Sequence, residues 1–300
     1  MCAVRSGWNG LTREPRHHLP RPALRLRPGG FTLIEMIMVI VLLGILSTVL
    51  IVFIITPFQA ARDMEQRAEL VDAADLALNR ITRELRSALP NSVRVHGSRH
   101  VEFIGTVSGG RYRRLPQPGG GGEVFVPALG SGSFDVLGGL IDNALVIARA
   151  PGTDCGTAAG HCLSVYNTGQ PGFNAYAGDN LAAITSAGGS SLSYDAGAPG
   201  PAFATHSPQQ RFFVTDTVVS YVCNPASGQL RRHVGYGLGV NAPSLPVDGG
   251  ELLVDRVADC QFSYLPGTAT RRGLVSLRLD LAADGEQIFL LVQAQVLNSP

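Results

Sequence analysis

Between Phe31 and Ile55 the chain reads FTLIEMIMVIVLLGILSTVLIVFII, 25 residues in which Glu35 is the single ionisable group. As a helix rising about 1.5 Å per residue this run reaches roughly 37 Å, more than the ~30 Å hydrocarbon core of a bilayer. It predicts a membrane-spanning helix. Arginine is abundant before the run and absent from it: residues 1–30 hold Arg5, Arg13, Arg16, Arg21, Arg25 and Arg27 against Glu14, a charge of +5. The positive-inside rule then leaves the amino end cytoplasmic and sends the rest of the chain across the membrane. Taking +5 from the +1 of the whole chain leaves −4 for residues 31–300. That balance does not suit non-specific nucleic-acid binding, so nucleic acid is not an expected partner.

All 24 basic side chains are arginine. The missing lysine excludes a Walker phosphate loop and Schiff-base chemistry, so the tetraglycine Gly119–Gly122 reads as a flexible loop. The exported part also lacks a GxSxG elbow, an HExxH helix and a CxxC redox pair. No enzyme, catalytic residue or cofactor is expected from these patterns.

A cleaved secretory signal places small residues after its apolar core. Here Gly29 and Gly30 precede the run, so a cut beside them leaves the hydrophobic segment on the mature protein. The string Gly30-Phe31-Thr32-Leu33-Ile34-Glu35 resembles the processing site of type IV prepilins and type II secretion pseudopilins. The resemblance implies cleavage after Gly30 by the prepilin peptidase and N-methylation of Phe31. It also implies an α+β, pilin-like fold, in which a long bent amino-terminal helix, membrane-spanning in its first half, packs on an antiparallel β-sheet head. Residues 1–30 would be a basic cytoplasmic leader that is removed, long for this family, reflecting a variable tail or a start codon placed too far upstream. Cys2, on the reducing side, would be a free thiol.

An ionised carboxylate within hydrocarbon costs about 2.5–3.5 kcal/mol on insertion scales, so Glu35 needs a partner. The freed amine of Phe31 is the candidate. Within one chain the two share a helix face, and the resemblance implies pairing with a neighbouring subunit, which makes Glu35 an assembly residue.

Residues 31–56 thus form a transmembrane and assembly helix, and residues 57–90 an amphipathic helix continuing the stalk beyond an interruption at Pro57. Met64, Ala68, Val71, Ala74, Leu78, Ile81, Leu85 and Leu89 recur at three- and four-residue steps and predict its buried face. Pro90 ends it. From 91 to 300 a β-rich periplasmic head with long loops is expected, with strands at Val101–Val107, Glu123–Val126, Ala144–Ala148, Arg211–Cys223, Gln229–Val234, Leu252–Tyr264 and Leu274–Val296. Ser227-Gly228 and Asp284-Gly285 read as hairpin turns. Residues 150–210, poor in periodicity, read as a long loop region.

Four cysteines fall in the exported part, and the simplest oxidised pairing is Cys155–Cys162 and Cys223–Cys260. Cys155, His161 and Cys162 lack zinc spacing and a fourth ligand, so no metal is expected. Some pseudopilins bind calcium, which makes Asp216, Asp255, Asp259 and Asp280 candidates, although a solvated strand face explains them better. Arg113-Arg114, Arg231-Arg232 and Arg271-Arg272 are candidates for a DNA or polysaccharide patch, with scattered surface arginine as the plainer reading.

RITRELRSALPNSVRV at 80–95, CQFSY at 260–264 and the carboxy-terminal run from Arg271 to Pro300 resemble minor pilins of the MshO group, from the mannose-sensitive haemagglutinin (MSHA) pilus. That group is related to the PilW and J-type pseudopilin subunits. The resemblance implies a single-pass inner-membrane protein that helps initiate or cap a pilus. Its partners would be other major and minor pilins and the inner-membrane assembly platform. A type II secretion pseudopilin and a tip subunit that binds DNA or glycan are the rival expectations.

Overall fold

The computed structural model describes residues 29–156, 160–197, 203–243, 245, 249–268 and 271–300. Residues 1–28, with Cys2 and the six arginines of the expected leader, lie outside the described residues. The chain divides into two compact units, Met1–Phe58 and Gln59–Pro300. Helix α1, Leu33–Arg86, is assigned across the boundary.

In the first unit the helix exposes its apolar side chains: Leu33 is 81% exposed and Ile40 66%, and none of Leu33–Ile51 is buried. The two hydroxyls of the span turn back on the helix, Ser47 Oγ donating to the Leu43 carbonyl at 2.6 Å and Thr48 Oγ1 to that of Ile45 at 2.7 Å. Such bonds remove donors that lipid could not satisfy. Pro57 lies inside α1 rather than at a break, because proline removes one donor from the ladder but leaves its neighbours free to continue.

The second unit contains β1 (Arg94–His96), β2 (His100–Tyr112), β3 (Ser131–Leu137), β4 (Cys162–Ser164), β5 (Leu181–Ala187), β6 (Ser191–Asp195), β7 (Arg211–Asn224), β8 (Gln229–Val234), β9 (Glu251–Val254), β10 (Val257–Leu265), β11 (Gly273–Ala283) and β12 (Glu286–Val296). All pairings are antiparallel. One sheet runs β1-β2-β3-β6-β5-β4-β7-β8-β9, and β10-β11-β12 form a three-stranded meander. Two residues, Asp284 (φ 51°) and Gly285 (φ 89°), turn β11 into β12, and the left-handed φ at both matches a tight hairpin.

The carboxy-terminal part of α1 packs against strands of both sheets. Its buried stripe is Leu70, Ala74, Ala77, Leu78, Ile81 and Leu85, which meet Val101, Phe103 and Tyr221 of the larger sheet and Phe262, Leu277 and Leu279 of the smaller one. This corrects the predicted stripe: Met64, 73% exposed, and the exposed Ala68 lie before Leu70, where burial begins, and Val71, 38% exposed, falls at the edge of the buried stripe. Arg80 and Glu84 pin the helix flank to the sheet, through Arg80–Glu251 at 2.6 Å and Arg232–Glu84 at 2.9 Å. The helix ends at Arg86, earlier than Leu89, since Leu89 donates its N–H to Ile104 and Thr106 donates to Ser87, which draws residues 87–89 alongside β2.

β2 and β7 are long enough to serve two cores. His100–Ile104 and Val218–Val222 pair beneath α1, whereas Ser108–Arg111 and Arg211–Val214 continue into a second layer. There β2 pairs β3, β3 pairs β6, β6 pairs β5, β5 pairs β4, β4 pairs β7, and β7 returns to β2, closing a six-stranded ring. Closure removes free edges. The ring is filled by Tyr112, Phe125, Phe134, Tyr194, Phe203 and Phe212, none more than 2% exposed. Phe125 lies among the others, with ring centroids 4.5 Å from Tyr112 and 5.3 Å from Phe134.

Three of the ring's strands lie within 150–210, where a loop region is expected. β4 and the first four residues of β5 are buried in succession, so they lack the alternation that marks a half-exposed strand, whereas β6 alternates over only five residues, with Leu192 and Tyr194 buried. Conversely, Ala144–Ala148 is not a strand, and Glu123–Val126 contributes backbone bonds without joining a sheet.

Candidate functional site

Gly29 and Gly30 lie ahead of α1 in exposed, non-helical backbone, and neither has any atom within 4 Å of where a Cβ would stand. Phe31 is 77% exposed. Thr32 is the cap: the backbone N–H of Glu35 donates to Thr32 Oγ1 at 3.3 Å, and those of Glu35 and Met36 donate to the Thr32 carbonyl at 3.1 and 3.2 Å. Thr-x-x-Glu is the capping-box spacing, and an acid in the first turn suits the positive end of the helix dipole. Glu35 thus lies in the first turn of α1, with its backbone N–H held by the Thr32 cap. The Gly30–Phe31 bond sits just before this cap, in backbone accessible to a protease.

A prokaryotic N-terminal methylation motif matches residues 25–51. This is a prepilin-type amino terminus. Within it, Leu33–Ile51 is long and apolar enough to cross a membrane, with a mean hydropathy of 2.7. The motif implies processing by a prepilin peptidase and assembly with other pilins, and the apolar helix fits a single-pass membrane anchor. No curated protein matches the chain significantly, and no solved structure does.

In the head the structure joins Cys155 to Cys162, with Cα atoms 6.0 Å apart, and Cys223 to Cys260, with Cα atoms 6.5 Å apart. The first bond anchors the loop before β4. The second links β7 of the larger sheet to β10 of the smaller one. The turn before β2 bridges the same two strands, since Cys223 donates its N–H to Arg99 O and Phe262 donates to Ser98 O. His161 stands apart from its cysteine neighbours: its Nδ1 accepts the Ile147 N–H at 2.9 Å, and its Nε2 lies 3.6 Å from Asp216. Burial lowers its pKa, against the pull of Asp216.

The four aspartates named as calcium candidates are not brought together. Asp259 is paired with Arg99 at 3.1 Å, Asp280 with Arg278 at 2.7 Å, Asp255 lies 3.8 Å from Arg256, and Asp216 faces His161. Among the described residues, no group of three or more His, Cys, Asp or Glu is arranged to hold a metal ion. The arginine doublets also separate. Arg113 pairs Asp135 at 2.8 Å, Arg231 binds Gln229 and the Gly250 carbonyl, and Arg232 is held by Glu84.

Sequence reading missed a buried polar cluster centred on Glu102, 1% exposed on β2. Arg94 and His96, on β1, both reach Glu102 Oε2, the latter at 2.9 Å, while Tyr236 donates its hydroxyl to Oε1 at 2.8 Å. Ser220 joins Tyr236 to His100, whose Nε2 is 2.8 Å from its Oγ. The Arg94 guanidinium also lies 3.5 Å over the Tyr176 ring and donates to the carbonyls of Gly239 and Val240. Burial acts to raise the Glu102 pKa, but the bonds from Arg94, His96 and Tyr236 outweigh it and hold the carboxyl below its ordinary value. Burial, reinforced by His96, pushes His100 down to about 4. Both Glu102 oxygens are occupied, so the cluster serves to fix the 235–241 loop to β1 and β2. The signal available in sequence was a lone acid within the apolar Val101–Ile104 run.

Proposed function

We propose that this chain is a low-copy minor subunit of a type IV pilus of the MSHA kind, which helps initiate or cap assembly at the inner membrane. In this reading, Gly30–Phe31 is cut on the cytoplasmic side and Phe31 is methylated. The apolar part of α1 then passes from lipid into lateral contact with sibling helices, with the head in the periplasm or at the pilus tip. One observation carries the proposal: a capped helix whose apolar stretch Leu33–Ile51 is exposed throughout follows directly on an exposed prepilin-type motif. A hydrophobic rod with no internal partner is stable only in lipid or against other such rods.

Glu35 is the assembly residue, its carboxylate offered to the Phe31 amine of a neighbour. Oxidised cysteines suit a head on the periplasmic side. The size of the head, with its ring of six strands, suits a capping subunit better than a repeating shaft.

Mass spectrometry of the protein from membranes tests the first step: the mature chain is expected to begin at N-methylated Phe31, and a different terminus overturns the reading. Recovery in sheared pili tests the second. A chain found only in short periplasmic assemblies, beside genes for a secretin and a secretion ATPase, would be a J-class secretion pseudopilin instead.

A further inference from the structure

Strands β2 and β7 set Arg111 directly opposite Arg211. Like charges facing each other across an antiparallel pair destabilise it. Of the other arginines on strands, Arg94, Arg232 and Arg278 are paired with Glu102, Glu84 and Asp280, and Arg231 is held by Gln229 and the Gly250 carbonyl. Arg111 and Arg211 have no side-chain hydrogen bond or ion pair among the described residues. The pair borders an open groove of about 480 Å³ on the outside of the six-stranded ring.

The rest of that groove is apolar, with glycines set among Leu137, Ile141, Phe213 and Leu297. Phe213 lies against Gly109, where a Cβ would come within 3.4 Å of the ring and 3.0 Å of the Phe212 carbonyl oxygen. Gly138 and Gly139 continue the lining, and Ile141, 71% exposed, stands at its border. Glycine here keeps backbone and ring accessible, so the surface presents an aromatic and several aliphatic side chains, bare peptide groups and two guanidinium forks.

We propose that this groove binds an acidic saccharide, a uronate-bearing oligosaccharide whose carboxylates engage Arg111 and Arg211. A guanidinium matches a carboxylate with two parallel N–H···O bonds, and the apolar C–H face of a pyranose ring suits the Phe213 and glycine surface. The bound anion relieves the repulsion between the two arginines. Nucleic acid is the poorer fit, because affinity for its backbone rests on neutralising many phosphates, and this groove offers two cations on a body of net negative charge. The proposal is independent of the assembly reading, since binding is measurable on protein that never enters a filament.

The test uses full-length protein in detergent micelles, titrated with an oligogalacturonate, with its methyl-esterified uncharged form, and with a DNA oligonucleotide of equal charge. The oligogalacturonate is expected to bind, and the esterified form to bind at least about tenfold more weakly. Arg111→Gln and Arg211→Gln should each weaken binding several-fold and the double variant about tenfold or more, while Arg114→Gln leaves it unchanged. The thermal midpoint of the double variant should equal or exceed that of the parent. Absent oligogalacturonate binding, binding indifferent to the double substitution, tighter binding of the oligonucleotide, or a lowered midpoint marking the arginines as structural would each overturn the proposal.

Discussion

The Thr32 hydroxyl accepts the backbone N–H of Glu35 at 3.3 Å, so the helix cap lies wholly on the mature side of Gly30. Cleavage at that glycine would remove the leader without unravelling the first turn. Thr32→Ala is expected to cost about 1 kcal/mol of local stability, seen as roughly fivefold faster hydrogen exchange at the Glu35 amide in the micelle-bound mature protein. Glu35→Gln should leave cleavage intact and sharply lower recovery in filaments. Wild-type recovery of that variant would remove the assembly role.

Glu102 is the most consequential charge of the head. Removing one partner of a buried pair leaves the other uncompensated, at about 3–5 kcal/mol. Because Arg94 retains some solvent contact, the lower end applies, and Glu102→Ala should lower the thermal midpoint by roughly 10 °C. A scan of the detergent-solubilised variant against the parent checks this, and a change under 3 °C or so would mean that the cluster is dispensable.

Acid should weaken the head before it reaches ordinary carboxylate pKa values. His100 has its folded pKa depressed to about 4, by burial first and then by His96. Its contribution to stability is therefore fully present above the unfolded value of about 6.5 and is lost as pH falls from there to about 4. The burial-lowered His161, His206 and His233 act in the same direction. Glu102, also lowered, adds a loss that sets in below its unfolded value. Urea midpoints at a series of pH values should decline from pH 6.5 downward, and His100→Asn should flatten that decline. A midpoint constant between pH 6.5 and 4.5 would contradict the assignment.

The two disulfides should differ in weight. Cys223–Cys260 spans 37 residues and Cys155–Cys162 spans 7. Loop-closure entropy then assigns about 4 kcal/mol to the first and about 2 kcal/mol to the second. Serine replacement of each pair, followed by chemical denaturation, should rank them in that order. Thiol titration of the unreduced protein, isolated from the periplasmic side, should find none of the four free.

How far the sequence could be read follows from where each residue's constraints originate. A strand such as β11, with Val275, Leu277, Leu279 and Leu281 buried and Arg278 exposed, shows its alternation because one face meets solvent. β4 and the first four residues of β5, buried in succession, carry no such contrast, and β6 carries it over only five residues. The helical stripe was legible in its period but began too early, at Met64 and Ala68, since period alone does not say where along a helix its strands begin.

Sequence by itself determined the apolar segment, the acid near its start, the prepilin-type motif around Gly30 and Phe31 and the helix-then-strand order, all of which rest on hydropathy, local spacing or residue type along a continuous stretch. Tertiary structure alone decided that β2 and β7 pass through two cores and close a six-stranded ring, that Glu102 is buried among Arg94, His96 and Tyr236, and that Arg111 confronts Arg211. Each of these depends on strand pairing and side-chain contacts between residues as much as 134 positions apart. Register is set by the summed packing of whole faces, which no local pattern encodes.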